Sequence, residues 1–366
     1  MKINFNRNQL LIPLQQVSGI VERRQILPIL SHVLVRVKDG ILSVTATDQV
    51  VEITTRHKIE FAEELAFTLP ARKLLDICRS LPEDSNVSLS IKNERATLIS
   101  GSSRFALAIF PVKDFPLMQD FAAKCEFSLP QKDLKYLIDS TQFSMAQQDV
   151  RLYLNGLLLE IQGSKLTSVT TDGHRLSYCR LEMEGSNDES HQIIIPRKGV
   201  QEIAKLLKES PDFAQVRVGS NFISIRLDEV EFSAKLIEGK FPDYERVLPK
   251  SAEIRLVADR EVLRQALIRT SILSNEKYRG IRFTLSNNKL CIQAHNPEHE
   301  EAEVEMEIQY EGQNVEVGFN VNYLLDALAA IADESVQISM ADSNSSCLVQ
   351  QPNNSNCKYV IMPMLL

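Results

Sequence analysis

The residues best equipped for chemistry are the carboxylate and imidazole of Asp172-Gly173-His174, and a thiol and imidazole four apart, Cys291 and His295. Either pair could supply part of a nucleophile–base–orienter triad, but no G-x-S-x-G elbow accompanies them. No G-x-x-x-x-G-K-[ST] phosphate loop occurs, so the chain is not expected to hydrolyse ATP. The cysteines Cys78, Cys125, Cys179, Cys291, Cys347 and Cys357 are scattered without a C-x-x-C pair, and the six histidines lack ligand spacing. They are read as six buried or idle thiols in a reducing, cytoplasmic setting, with no metal and no cofactor.

A second set of reactive types is basic. Arg23-Arg24, Arg72-Lys73, Arg197-Lys198 with Lys205 and Lys208, and Arg264 with Arg269 lie on or beside helical patterns. The chain as a whole is acidic, with 41 Lys+Arg against 48 Asp+Glu in 366 residues and a net charge of −7. At face value that argues against a nucleic-acid partner. The charge is unevenly placed, however. Divided at 122 and 250, the thirds carry +2, −2 and −7, and His295–Glu311 alone holds seven Glu and no Lys or Arg. If the basic helices face inward, an acidic protein presents a basic channel; the alternative is an ordinary solvated helix face.

The elements that would position these groups recur three times. Leu10-Leu11-x-x-Leu14-x-x-Val17, Leu134-x-x-Leu137-Ile138 and Val262-Leu263-x-x-Ala266-Leu267 are apolar stripes at helical period, each after a short β-like stretch. Hairpins with polar or Gly turns follow at Asp39-Gly40, Gly163-Ser164 and Asn287-Asn288. Leu42, Leu166 and Leu290 are spaced by 124 and 124, as are Asp48, Asp172 and Asn296. That equivalence favours a turn-capping role for Asp48 and Asp172 over catalysis. A second helix follows in each third, around Leu74–Leu81, Val200–Leu207 and Leu324–Ile331. Pro70 and Pro196 stand near N1 of the first two, and Asn320 is a suitable N-cap for the third.

The pattern predicts an α+β chain of three similar domains, 1–122, 123–250 and 251–366, each a duplicated β-α-β-β-β unit with antiparallel sheet on one side and two helices on the other. A domain of this size is a ball about 35 Å across, and six in a hexagon leave a hole of about 35 Å. A duplex roughly 20 Å wide passes through such a hole, and a two-fold dimer supplies the six domains. The amino terminus has no uninterrupted apolar h-region, and no apolar run approaches the ~20 residues of a membrane span.

Specific motifs carry a family resemblance. Leu14-Gln15-Gln16-Val17-Ser18-Gly19, Leu27-Pro28-Ile29-Leu30, Pro70-Ala71-Arg72-Lys73, Thr170-Thr171-Asp172-Gly173-His174-Arg175-Leu176, Phe241-Pro242-Asp243-Tyr244 and Tyr359-Val360-Ile361-Met362-Pro363-Met364 resemble the bacterial β sliding-clamp family, in order and over the whole chain. The resemblance implies the clamp fold: a head-to-tail homodimeric ring, helices lining the channel and sheets outside. It implies a non-catalytic processivity subunit of the DNA polymerase III holoenzyme that encircles double-stranded DNA without base readout. Its implied partners are the replicative polymerase, the ATP-dependent clamp loader, translesion polymerases, ligase and mismatch-repair proteins, all through short peptide motifs, with no membrane.

By matching positions, the resemblance assigns DNA contact to Arg24, Arg72, Gln148, Tyr153 and Lys198. Leu152 departs from the aromatic that some relatives carry beside the tyrosine. A peptide pocket between the second and third domains is assigned Leu154, Thr171, Gly173, His174, Arg175, Leu176 and Pro242 from one side. Arg246, Val247, Ser346, Val360, Met362, Pro363 and Met364 complete it, with Arg175 and Arg246 able to meet polar groups or a carboxylate. Leu365 replaces a basic residue of some relatives. The dimer seam is assigned Arg104, Phe105 and Leu107 against Ile272 and Leu273, with Glu298, Glu300 and Glu303 at a charged rim. A protein-only scaffold, in which the pocket matters and DNA does not, is the competing class.

Overall fold

The computed structural model describes residues 2–21, 27–61, 63–92, 94–249 and 252–365. Its helices fall two to each sequence third: α1 (Arg7–Val17), α2 (Ala71–Ser80), α3 (Gln131–Asp139), α4 (Arg197–Leu206), α5 (Arg260–Ser271) and α6 (Val321–Ala330). Each expected stripe is helical. Their starts follow local chemistry. Asn6 and Gln9 form a capping box on α1, Asp259 caps α5 through the Val262 amide at 2.8 Å, and Asn320 caps α6 through the Asn322 amide at 2.9 Å. Pro70 sits one position earlier than expected, at the N-cap of α2, and Pro196 ends the strand before α4. In both places the missing N–H is harmless.

The chain forms two compact units, residues 1–134 with 198–236 and residues 135–197 with 237–366. The first contains a four-stranded sheet ordered Lys2–Asn6, Asn86–Lys92, Arg95–Ser100, Ser103–Ala108. It also contains an eight-stranded sheet in which Val51–Lys58 of the first third pairs antiparallel with Val230–Lys235 of the central third. Within this unit α1 packs on α2, and the apolar face of α2 (Leu74, Leu75, Cys78) is buried while Arg72, Lys73, Asp76 and Arg79 are exposed.

The second unit contains a six-stranded sheet ordered Gly156–Thr171, Arg175–Pro196, Asn354–Ile361, Cys347–Gln351, Ser335–Met340, Ile254–Asp259. Here strands of the central and C-terminal thirds join, with Leu176 opposite Val360 and Ser177 opposite Tyr359. A four-stranded sheet, ordered Glu301–Glu307, Lys289–His295, Gly280–Ser286, Val315–Asn320, completes the unit. The repeat is thus visible in every third, and neighbouring thirds share continuous sheets. The expected turns are present: Asp39 and Gly40 have φ of 51° and 70°, Gly163 59° and Asn288 56°.

One expectation is corrected. Cys179 and Cys357, 178 residues apart, are directly opposed on the shared sheet with Cα atoms 4.1 Å apart, and the structure joins them in a disulfide. Sequence spacing could not reveal this, because the pairing depends on the register between two thirds. The other four thiols remain free. Burial pushes Cys78 up to about 11 and Cys347 up to about 12, so both are inert.

Candidate functional site

Two turns carry the same hydrogen-bond circuit. Asp48 Oδ1 accepts from the amides of Val50 (2.9 Å) and Val51 (2.7 Å), while Thr47 Oγ1 donates to the Val51 carbonyl and accepts from Gln49, both at 3.0 Å. In the next repeat Asp172 Oδ1 accepts from the amides of His174 (2.9 Å) and Arg175 (3.0 Å). Thr171 Oγ1 donates to the Arg175 carbonyl at 2.6 Å and accepts from Gly173 at 3.1 Å. Asn296 accepts from the Glu300 amide at 3.0 Å in the third repeat. Asp172 therefore bonds the main chain of an exposed His174, and the pair is a turn rather than an acid–base dyad.

The second of these turns borders a cavity of about 150 Å³ in the six-stranded-sheet unit. Its lining includes nine of the expected residues: Leu154, Thr171, Gly173, Arg175, Leu176, Pro242, Val247, Val360 and Met362. Four more, Arg151, Tyr153, Phe241 and Tyr244, were not assigned to it by motif matching. The floor is a packed cluster in which Leu158, Val169, Leu176, Tyr178, Ile194 and Val360 are almost fully buried. Tyr244 is anchored by its hydroxyl, which donates to Glu160 Oε2 at 2.5 Å; burial and that carboxylate raise the phenol well above its ordinary value. Gly173, at φ 92°, lies beside the Arg151 guanidinium: a Cβ there would be 3.1 Å from Arg151 Nη2, and its backbone conformation is one side chains rarely adopt.

The arginines around this cavity are already paired. Arg175 donates from Nε to Asp172 Oδ2 (3.1 Å), from Nη1 to Asp326 Oδ2 (2.5 Å) and from Nη2 to the Phe143 carbonyl (2.7 Å). Its guanidinium also lies 4.5 Å from the Tyr323 ring centroid. Arg151 pairs with Asp149, whose carboxyl is held down at about 2 by that hydrogen bonding, and exposed Arg246 pairs with Asp243 at 2.7 Å. Arg246, His174, Ser346, Pro363 and Met364 do not line the cavity. The Met364 amide instead donates to the Gly318 carbonyl at 2.8 Å, and Met364 borders a separate hollow with Tyr278, Pro297 and Leu365.

Of the expected DNA contacts, Arg24 lies outside the described residues. Arg72 is exposed, with Nη2 donating to the Val21 carbonyl at 2.6 Å. Lys198 bonds the Ile20 carbonyl at 3.2 Å and Asp48 at 2.5 Å. Gln148 is exposed at φ 58°, whereas Tyr153 faces the cavity. The expected seam residues occupy two sheet edges. Arg104 is exposed, Phe105 half-buried and Leu107 buried on the edge strand Ser103–Ala108. Glu303 is exposed on the other edge strand, Glu301–Glu307, whose alternation leaves Glu301, Glu303, Glu305 and Glu307 facing outward; Glu298 and Glu300 are exposed just before it. Ile272 is 73% exposed and Leu273 half-buried. Cys291, Glu303 and Glu305 offer ligand atoms within 4.8 Å of one another on this face.

Family comparisons decide the affiliation. Residues 1–119, 128–243 and 245–365 match the N-terminal, central and C-terminal domains of the DNA polymerase III beta subunit. The chain belongs to this family. It is 50% identical to the beta sliding clamp of Pseudomonas aeruginosa and 46% identical to that of Escherichia coli K12, over 100% of both chains in each case. A crystal structure of the DNA polymerase III subunit beta from Pseudomonas aeruginosa matches with a TM-score of 0.96 at 49% identity, and pol III beta of Caulobacter crescentus with 0.94 at 33%, each covering 100% of both chains. Clamps of this family are non-catalytic, in keeping with Asp172 serving a turn. The lining residues missed by motif matching carry readable signals: Phe241 and Tyr244 lie in the Phe241–Tyr244 motif itself, and Arg151 and Tyr153 belong to the Arg151-Leu152-Tyr153-Leu154 run that ends on an assigned pocket residue.

Proposed function

We infer that the chain works as a sliding clamp: two copies close head to tail around duplex DNA, and partners dock short peptide segments into the cavity beneath Thr171–Leu176. The observation that carries this reading is the apolar cavity built on a sheet shared by central and C-terminal repeats, in a chain whose whole length belongs to the family. Pseudomonas aeruginosa and Bartonella birtlesii clamps have been crystallised bound to griselimycin, and we take this cavity as its seat here. The occupants we assign in the cell are motifs of the replicative polymerase, clamp loader, translesion polymerases, ligase and mismatch-repair proteins, in the cytoplasm. The domains are read as 1–122, 123–250 and 251–366.

Two features support the ring. Ser103–Ala108 and Glu301–Glu307 each expose one unpaired edge, a liability that strand pairing across a dimer seam removes. The first edge presents exposed Arg104 and the second four outward Glu, so head-to-tail pairing is also electrostatically complementary. Arg72, Lys198 and Gln148 are proposed to face DNA through phosphates, which serves sliding because such contacts carry no sequence information. After loading onto closed circular DNA, the protein should be retained until the circle is linearised. Equal retention on both forms sinks the topological mechanism and favours a protein-only scaffold. Griselimycin affinity should fall in Val247→Ala and Met362→Ala without loss of retention.

A further inference from the structure

Three arginines border the docking cavity or its rim, and each has an aspartate partner: Arg151 with Asp149, Arg246 with Asp243, and Arg175 with both Asp172 and Asp326. Arg175 is the one that is enclosed, with its side chain 13% exposed. Three of its five N–H groups are used, one each by Asp172, Asp326 and the Phe143 carbonyl. The remaining two, one on each terminal nitrogen, are the only donors it can offer to a ligand. Asp172 belongs to the turn itself and is held by two main-chain amides. Asp326 comes from α6 in the C-terminal third, 151 residues away, and has no part in that turn.

We propose that Asp326 is a positioning residue of the docking cavity: by binding Nη1 it fixes the rotation of the Arg175 guanidinium over Tyr323 and aims the two free N–H groups at the ligand. Two carboxylates around one guanidinium also leave no net positive charge to attract an anion. Arg175 therefore offers its donors to a neutral acceptor, a main-chain or amide carbonyl of a docked peptide, in preference to a carboxylate. Of the two expectations for Arg175, polar groups or a carboxylate, this selects the polar groups. Arg246, the other arginine so assigned, does not line the cavity.

The inference rests on the docking reading above, and the test separates the two. Griselimycin affinity is measured on the intact dimeric protein carrying Asp326→Ala, Arg175→Ala, both substitutions, or Asp326→Glu. Asp326→Ala should weaken binding about tenfold, the scale of one charge-assisted hydrogen bond. In the Arg175→Ala background the same substitution should add less than about twofold, because its effect passes through the guanidinium. Asp326→Glu should restore most of the loss, which a merely structural role of α6 would not require. Asp326→Asn, nearly isosteric, guards against misfolding and should weaken binding in the same direction. Unchanged affinity in Asp326→Ala, or losses that simply add in the double variant, overturns the inference. If Val247→Ala and Met362→Ala are also silent, the docking reading falls with it.

Discussion

Tyr244→Phe removes a single oxygen from beneath the docking cavity, and its cost can be worked from the structure. The Tyr244 side chain is almost fully buried, and its hydroxyl donates to a carboxylate oxygen of Glu160 at 2.5 Å. Hydrogen bonds to charged groups contribute about 1.5–3 kcal/mol. Glu160 is half-buried and keeps the Gln192 amide at 2.6 Å, so water and that amide recover part of the loss. The expected destabilisation is about 1–2 kcal/mol, roughly a five- to thirtyfold shift in the local folding equilibrium. The pH dependence supplies a second, independent sign. Tyr244 ionises at higher pH when folded than the ordinary tyrosine value of about 10, so neutral Tyr244 favours the folded state. That contribution is complete below pH ~10 and is lost as pH rises through the folded value, because only the unfolded chain then releases the proton readily. Urea midpoints should therefore differ between wild type and Tyr244→Phe at pH 7, and the difference should shrink above pH ~10 as the wild type weakens. The phenyl ring still lines the cavity, so griselimycin affinity should stay within about twofold, since the lost hydroxyl points at Glu160. An unchanged midpoint at pH 7, or parallel decline of the two proteins above pH ~10, refutes the reasoning.

Further consequences are as concrete. Gly156→Ala should destabilise the six-stranded sheet by about 1–3 kcal/mol, because the new Cβ would stand 2.5 Å from the Ile195 carbonyl oxygen, a backbone atom that cannot swing away; thermal unfolding reads the loss. Arg104→Glu should weaken the dimer and Glu303→Arg should do likewise, with the double variant recovering part of the association in sedimentation. Asp48→Ala removes the acceptor for two turn amides and the partner of Lys198, and should lower stability by about 1–3 kcal/mol, measured by urea unfolding. Retention of that variant on circular DNA should persist wherever it remains folded.

How much of this was legible in sequence depends on how far apart the cooperating residues lie. Helices α1 to α6 were readable because each is encoded within a dozen residues by apolar spacing, joined in α1, α5 and α6 by a local side-chain cap. Turn capping by Asp48 and Asp172 was readable because a repeat of 124 residues places the same type at the same step. The Cys179–Cys357 pairing and the Arg175–Asp326 contact were not, since both cross between thirds that no local pattern relates. Tyr153 shows the intermediate case. Matching motif positions assigned it to DNA, and what no local pattern showed is that the 3₁₀ turn Leu152–Leu154 rotates neighbouring side chains apart: Leu152 is 66% exposed while Tyr153 borders the cavity and Leu154 is buried.

The committed state of the basic groups bears on how such a clamp slides. Arg72 and Lys198 bond carbonyls of consecutive residues, Val21 and Ile20, separated from the Arg23-Arg24 pair in sequence by Glu22. Cations used in this way hold phosphates less tightly than cations whose donors are all available. Each neutralised phosphate contributes about −0.9 to the slope of log affinity against log salt, so few engaged cations give weak affinity and a shallow slope. Topological linkage does not depend on that affinity at all. Raising salt should release the protein from linear duplex while leaving the loaded ring on closed circles, until salt opens the dimer seam. If retention on circles instead declined in parallel with affinity for linear DNA while the dimer remained intact, phosphate contacts rather than closure would be what holds the protein to its template.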